Sequence, residues 1–116
     1  MLRQANLLEA LLSKANLNWA DMSESCLSQA DLQEASLHKT SLHRANLERA
    51  ILSQAELQRA NVSEANLNGA DLTSSDLSEA DLQGASFNGA KLKNVNLSRA
   101  LFSHTQFEQV ADQGEN

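Results

Sequence analysis

The side chains able to do chemistry in this 116-residue chain are three histidines, one cysteine, 15 carboxylates and nine lysines or arginines. Nucleophilic or acid–base catalysis needs a nucleophile, a base and an orienting group gathered in one concavity. No C-x-x-C or H-E-x-x-H spacing offers a metal site, and no glycine-rich loop is present to cradle a phosphate. Cys26 stands alone, so a disulfide-built module is impossible. The chain also has no proline, four glycines and 3% aromatics, against 41% hydrophobic residues that are mostly Leu and Ala. A globular core of this size would be short of large side chains. What His38, His43, His104 and Cys26 can do depends on the scaffold that positions them.

That scaffold has a period of five. From Leu2 to Phe107, every fifth residue gives 22 positions, of which 17 are Leu and the rest Met22, Val62, Phe87, Phe102 and Phe107. Two residues earlier in each unit, 16 of the 22 positions from Ala5 to Val110 are Ala. Between the small and the large residue, 11 of 22 positions are Asn or Asp, and the other two places are mostly polar. The phase never slips. A period of five would smear leucines around an α-helix and alternate them across an unbroken strand, so the chain must turn once per unit. The Ala-x-Leu spacing puts both side chains on one side of a short extended segment, and the next two polar residues make a corner. Such a unit buries its apolar side only if the chain coils and each turn stacks on the last at about 4.8 Å.

Charges report how many units close a coil, because stacked like charges cost energy and opposite ones gain modestly. At a separation of 20 residues there are six opposite-sign pairs (Lys14/Glu34, Glu24/Arg44, Arg44/Glu64, Arg59/Glu79, Glu79/Arg99, Asp71/Lys91) against two like-sign pairs, Lys39/Arg59 and Glu56/Asp76. Separations of 15 and 25 show no such excess. Four units per coil is the expectation.

Runs such as Ala65-Asn66-Leu67-Asn68-Gly69 and Ala80-Asp81-Leu82-Gln83-Gly84 resemble the A(D/N)LXX motif of pentapeptide repeat proteins, cyanobacterial members in particular. The resemblance covers nearly the whole chain. It implies an all-β fold, a right-handed quadrilateral parallel β-helix of about five and a half coils, with the Leu/Phe and Ala positions inside. One domain over residues 1–110 is expected, with a frayed tail at 111–116. Residues 1–12 are rich in good helix formers, which allows a short helical cap, but the kept phase favours a first coil.

On this scaffold all three histidines point outward, and His43 falls between Ser23 and Ser63 with no carboxylate in its column. Cys26, between Asn6 and Asn46, reads as an unreactive surface thiol with no cationic neighbour in its ladder. No enzyme, cofactor or metal is expected. The outward apolar residues are Leu8, Leu11 and Trp19 near the start. Trp19 either covers a corner and lies over Lys39 as a cation–π pair, or joins Leu8 and Leu11 in an interaction patch. Phe87, Phe102 and Phe107 read as a plug over the C-terminal end.

The expected function is therefore a structural or protein-interaction module, a rigid rod with an unspecified protein partner, whose self-association would be an end-to-end homodimer. The other reading is an acidic imitation of DNA that inhibits a type II topoisomerase, an activity the resemblance brings with it. The net charge of −6 argues against direct binding of nucleic acid. Yet the columns around Leu2 and Leu7 carry only −2 each and those around Leu12 and Leu17 are neutral, too little for a phosphate-like stripe. With no leader-like start and no apolar run of the ~20 residues a membrane helix needs, a cytoplasmic location is expected.

Overall fold

The computed structural model describes residues 2–110. Each five-residue unit makes one corner and one side. The large apolar residue opens a β-turn whose carbonyl accepts the N–H three residues on, as in Ala30 N to Leu27 O at 3.0 Å, and the pattern repeats from Leu2 to Phe102. The fifth residue of the motif lies at positive φ in all 22 turns, from Gln4 at 58° to Gln109 at 54°. With the residue before it at negative φ, this is the type II turn. Only Gly69, Gly84 and Gly89 supply glycine there; the other 19 positions force a side chain with a Cβ into the left-handed region.

Coils then stack in register. All 17 bridges between coils are parallel and join residues 20 apart, from Asn6 with Cys26 to Ser86 with Gln106. Four units per coil is thereby shown. The first dozen residues follow the same rule, with Asn6 and Leu11 bridged to Cys26 and Asp31, so the start is a coil and not a helix. The frayed tail expected at 111–116 falls outside the described residues.

Each unit makes three hydrogen bonds to its neighbours. Leu27 N and Gln29 N donate forward to Asn46 O and Glu48 O at 2.7 and 2.9 Å, while Asp31 N donates back to Ala10 O at 2.9 Å. Two bonds thus run toward the C-terminal end for each that runs the other way. One N–H per unit, on the residue after the Leu position, is left out of the ladder. Its partner explains the Asn and Asp preference: all 11 of these residues accept it at Oδ1, from Asn6 with Leu8 N at 3.2 Å to Asn96 with Ser98 N at 3.0 Å. Where the motif has Ser36, Ser86 or Gln106 instead, the preceding coil compensates. Asn18, Asn68 and Asn88 reach down to His38 N, Asn88 N and Glu108 N at 2.8, 2.9 and 2.8 Å.

The interior is a filled column of Leu and Ala, fully buried from Met22 to Ala90. The large residues of the end coils, among them Leu2, Leu7, Leu92 and Leu97, are only partly covered. Hydroxyls at the Ala position find backbone carbonyls: Ser25 reaches Met22 O at 2.7 Å and Thr40 reaches Leu17 O at 2.9 Å. Buried Ser75 has no hydrogen-bond partner for its hydroxyl.

Candidate functional site

The histidines sit in the polar corners, where the turn directs side chains outward. His43 Nδ1 lies 2.8 Å from Ser63 Oγ, while that hydroxyl donates to Asn61 Oδ1 at 2.5 Å. The serine proton is therefore committed to an amide oxygen and not to the imidazole. His43 also lies close enough to Glu64 to help depress its pKa, an interaction the column count missed because Glu64 is in the neighbouring column. His104 Nδ1 lies 3.3 Å from Ser103 Oγ, and His38 packs edge-on to Trp19. No group of three or more His, Cys, Asp or Glu among the described residues is placed to hold a metal ion. Cys26 is a half-buried free thiol, bridged through its backbone to Asn6 and Asn46.

Two corner columns carry ion ladders. In one, Gln4 donates to Glu24 at 3.0 Å, and Arg44 lies between Glu24 at 4.0 Å and Glu64 at 2.8 Å. In the other, Glu79 lies between Arg59 at 2.7 Å and Arg99 at 3.7 Å. Lys14 and Glu34 pair at 3.8 Å. Five of the six opposite-sign pairs expected from the sequence are thus ion pairs, and the sixth, Asp71 with Lys91, is a bridged pair. The Arg44 and Arg59 guanidiniums, each donating a hydrogen bond, hold the Glu64 and Glu79 carboxyls below their usual range. Asp21 is lowered chiefly by the Ser23 hydroxyl. For Asp71, burial pushes upward most, but the Thr73 hydroxyl and N–H together with Lys91 prevail. The stacked Glu56 and Asp76 are eased by Gln58, which donates to Asp76 Oδ2 at 3.0 Å.

The exposed large apolar side chains fall at the two ends. Leu8 and Leu11 flank one corner of the first coil and are largely in solvent. Trp19 is 67% exposed, with Lys39 Nζ 4.4 Å from its ring centroid. Leu8 and Trp19 occupy turns two units apart, so they stand at diagonally opposite corners of a four-unit coil and do not form one continuous patch. At the other end, Phe87 is fully buried and stacks on Phe107 at 5.3 Å, and Phe102 tilts against Phe107 at 6.0 Å while leaving 42% of itself exposed. Leu101 is also exposed, at 54%. Sequence reasoning missed it, although a Leu in the Asn/Asp phase is the same signal that marked Leu11.

Among the described residues no helix is long and apolar enough to cross a membrane. A comparison with curated proteins finds no match. Solved structures do resemble the chain. A pentapeptide repeat protein from the thylakoid lumen of Arabidopsis thaliana superposes with a TM-score of 0.82 at 26% identity, covering 86% of this chain and 70% of that one. One from the cyanobacterium Cyanothece 51142 gives 0.59 at 36% identity, over 85% and 65% of the two chains. HetL of Nostoc, a pentapeptide repeat protein involved in regulating heterocyst differentiation, gives 0.55 at 26% identity, over 90% and 70%. The sequence profile described as Pentapeptide repeats matches in eight copies, over residues 1–29, 17–54, 55–94 and 80–110. A right-handed quadrilateral β-helix with this motif running through 22 turns means that the chain belongs to the pentapeptide repeat family.

Proposed function

We propose that the chain is a non-enzymatic interaction module, a rigid solenoid that docks a protein partner through the rim of its first coil. The observation that carries this is the placing of Leu8, Leu11 and Trp19 at outward positions of a coil that keeps its phase. The fold does not require apolar side chains there, whereas a partner covering them would remove that surface from water at about 25 cal/mol per Å². The stacked coils supply rigidity, so little ordering cost is added on binding. The ion ladders weigh against an imitation of DNA, because Arg44 interrupts Glu24 and Glu64 in one column, and Arg59 and Arg99 flank Glu79 in another that is already neutral overall. The test compares proteins retained from the source cell by the immobilised chain and by a Leu8→Ser, Trp19→Gln variant. A partner retained by the first and lost from the second is expected. Identical retention by both would remove the rim from the reading.

A further inference from the structure

The two ends of the coil stack are complementary in their backbone. Among the described residues, the N–H groups of Arg99, Phe102, His104, Phe107 and Gln109 point beyond the last coil and make no bond to another. At the first coil the surplus is reversed: the carbonyls of Asn6, Leu8, Leu11, Ser13, Asn16 and Asn18 are the groups without a coil to accept from. Unpaired strand edges of this kind template addition of another chain. Two C-terminal ends face to face would set donors against donors. A C-terminal end on an N-terminal end sets donors against acceptors.

Register follows from the count of units. Twenty-two turns at four per coil leave the last coil half finished. A second copy therefore continues the path only when rotated by half a coil, with each of its residues stacked on the residue 90 positions later in the first. In that one register Leu11 of the second copy falls on Leu101 of the first. These two apolar residues occupy the same phase, are 86% and 54% exposed, and stand on opposite sides of their own chain. Glu9 falls on Arg99, an opposite-sign stack of the kind already formed within the rod. The large residues Leu12 and Leu17 fall on Phe102 and Phe107. Against these gains, Arg3 meets Lys93 and Lys14 meets His104.

We propose that copies of this 116-residue chain stack head to tail, C-terminal end on N-terminal end with a half-coil rotation, extending the β-helix across the junction. Such a contact is heterologous and does not close, so it builds open filaments instead of a symmetric dimer. It shares Leu11 and the first coil with the partner reading, which is tested separately at Leu8 and Trp19.

Two variants decide it: Leu11→Lys blocks the head and Leu101→Lys blocks the tail, both at outward positions, with far-UV circular dichroism checking that each keeps the coil fold. By light scattering and sedimentation across a concentration series, the wild-type chain is expected to grow without a fixed size. Each variant alone should associate at least about tenfold more weakly, about 1.4 kcal/mol. Mixed in equal amounts, the two should form a 1:1 heterodimer and stop, because one open tail meets one open head. A wild-type chain that stays monomeric, or a variant that keeps forming a homodimer through its unblocked end, would overturn the proposal.

Discussion

An Asn or Asp before the large apolar residue closes the one backbone N–H per unit that the ladder leaves over. Asn66 accepts Asn68 N at 2.9 Å in the middle of the rod. Asn66→Ala should therefore lower stability by about 1 kcal/mol, while Asn66→Asp retains the acceptor and most of the stability. Ser75 offers the converse case. Its hydroxyl is buried without a partner, so Ser75→Ala restores the repeat's own residue and should raise stability by up to about 1 kcal/mol. Denaturant midpoints at unchanged slope measure both, and a stabilising Asn66→Ala would refute the role given to the amide. The Asn/Asp preference is visible in the sequence, but its cause lies in hydrogen-bond directions that only the closed coil defines.

At the scale of the element, the turn was only half legible. The five-residue period locates all 22 corners, and the charge pairs 20 residues apart give four corners per coil. The left-handed residue escapes notice because Glu, Arg, Lys and Gln occupy a place where glycine is the ordinary signal. Those same charged residues form the ladders, and the ladders set a pH dependence. Asp21, Glu64, Asp71 and Glu79 have folded pKa values below the unfolded ones. Their contribution is present above the ordinary carboxylate values of 3.8 and 4.5 and is lost as pH falls through the depressed values. The melting temperature should hold steady from neutral pH down to about 5 and fall below that. Because the pairs are exposed, the effect is modest and salt weakens it. Arg44→Gln with Arg59→Gln should flatten the fall, and an unchanged acid slope in that variant would show that the ladders do not set it.

For the whole molecule, each coil touches only the one before and the one after, so stability is close to a sum of neighbouring interfaces. Leu47, buried between Leu27 and Leu67, has no neighbour able to collapse inward. Leu47→Ala should cost about 2–5 kcal/mol, and Leu2→Ala, at a partly covered end, clearly less. Equal losses in thermal unfolding would mean that the ends are as well packed as the middle. That gradient was legible in outline, since a stack must have two open ends. The diagonal separation of Leu8 from Trp19 was equally implied by four units per coil, but residues close in sequence invite grouping before the coil is closed.

The two-to-one bias in bond direction has an electrical consequence. Most inter-coil N–H dipoles point toward the C-terminus, so the peptide groups add to a net moment along the axis, small per unit but repeated at every turn. Its positive pole lies at the C-terminal end, the reverse of an α-helix, whose N-terminus is the positive one. Lys91, Lys93 and Arg99 outnumber Glu108 near that same pole, so backbone and side chains together favour an anion at that end of the stack.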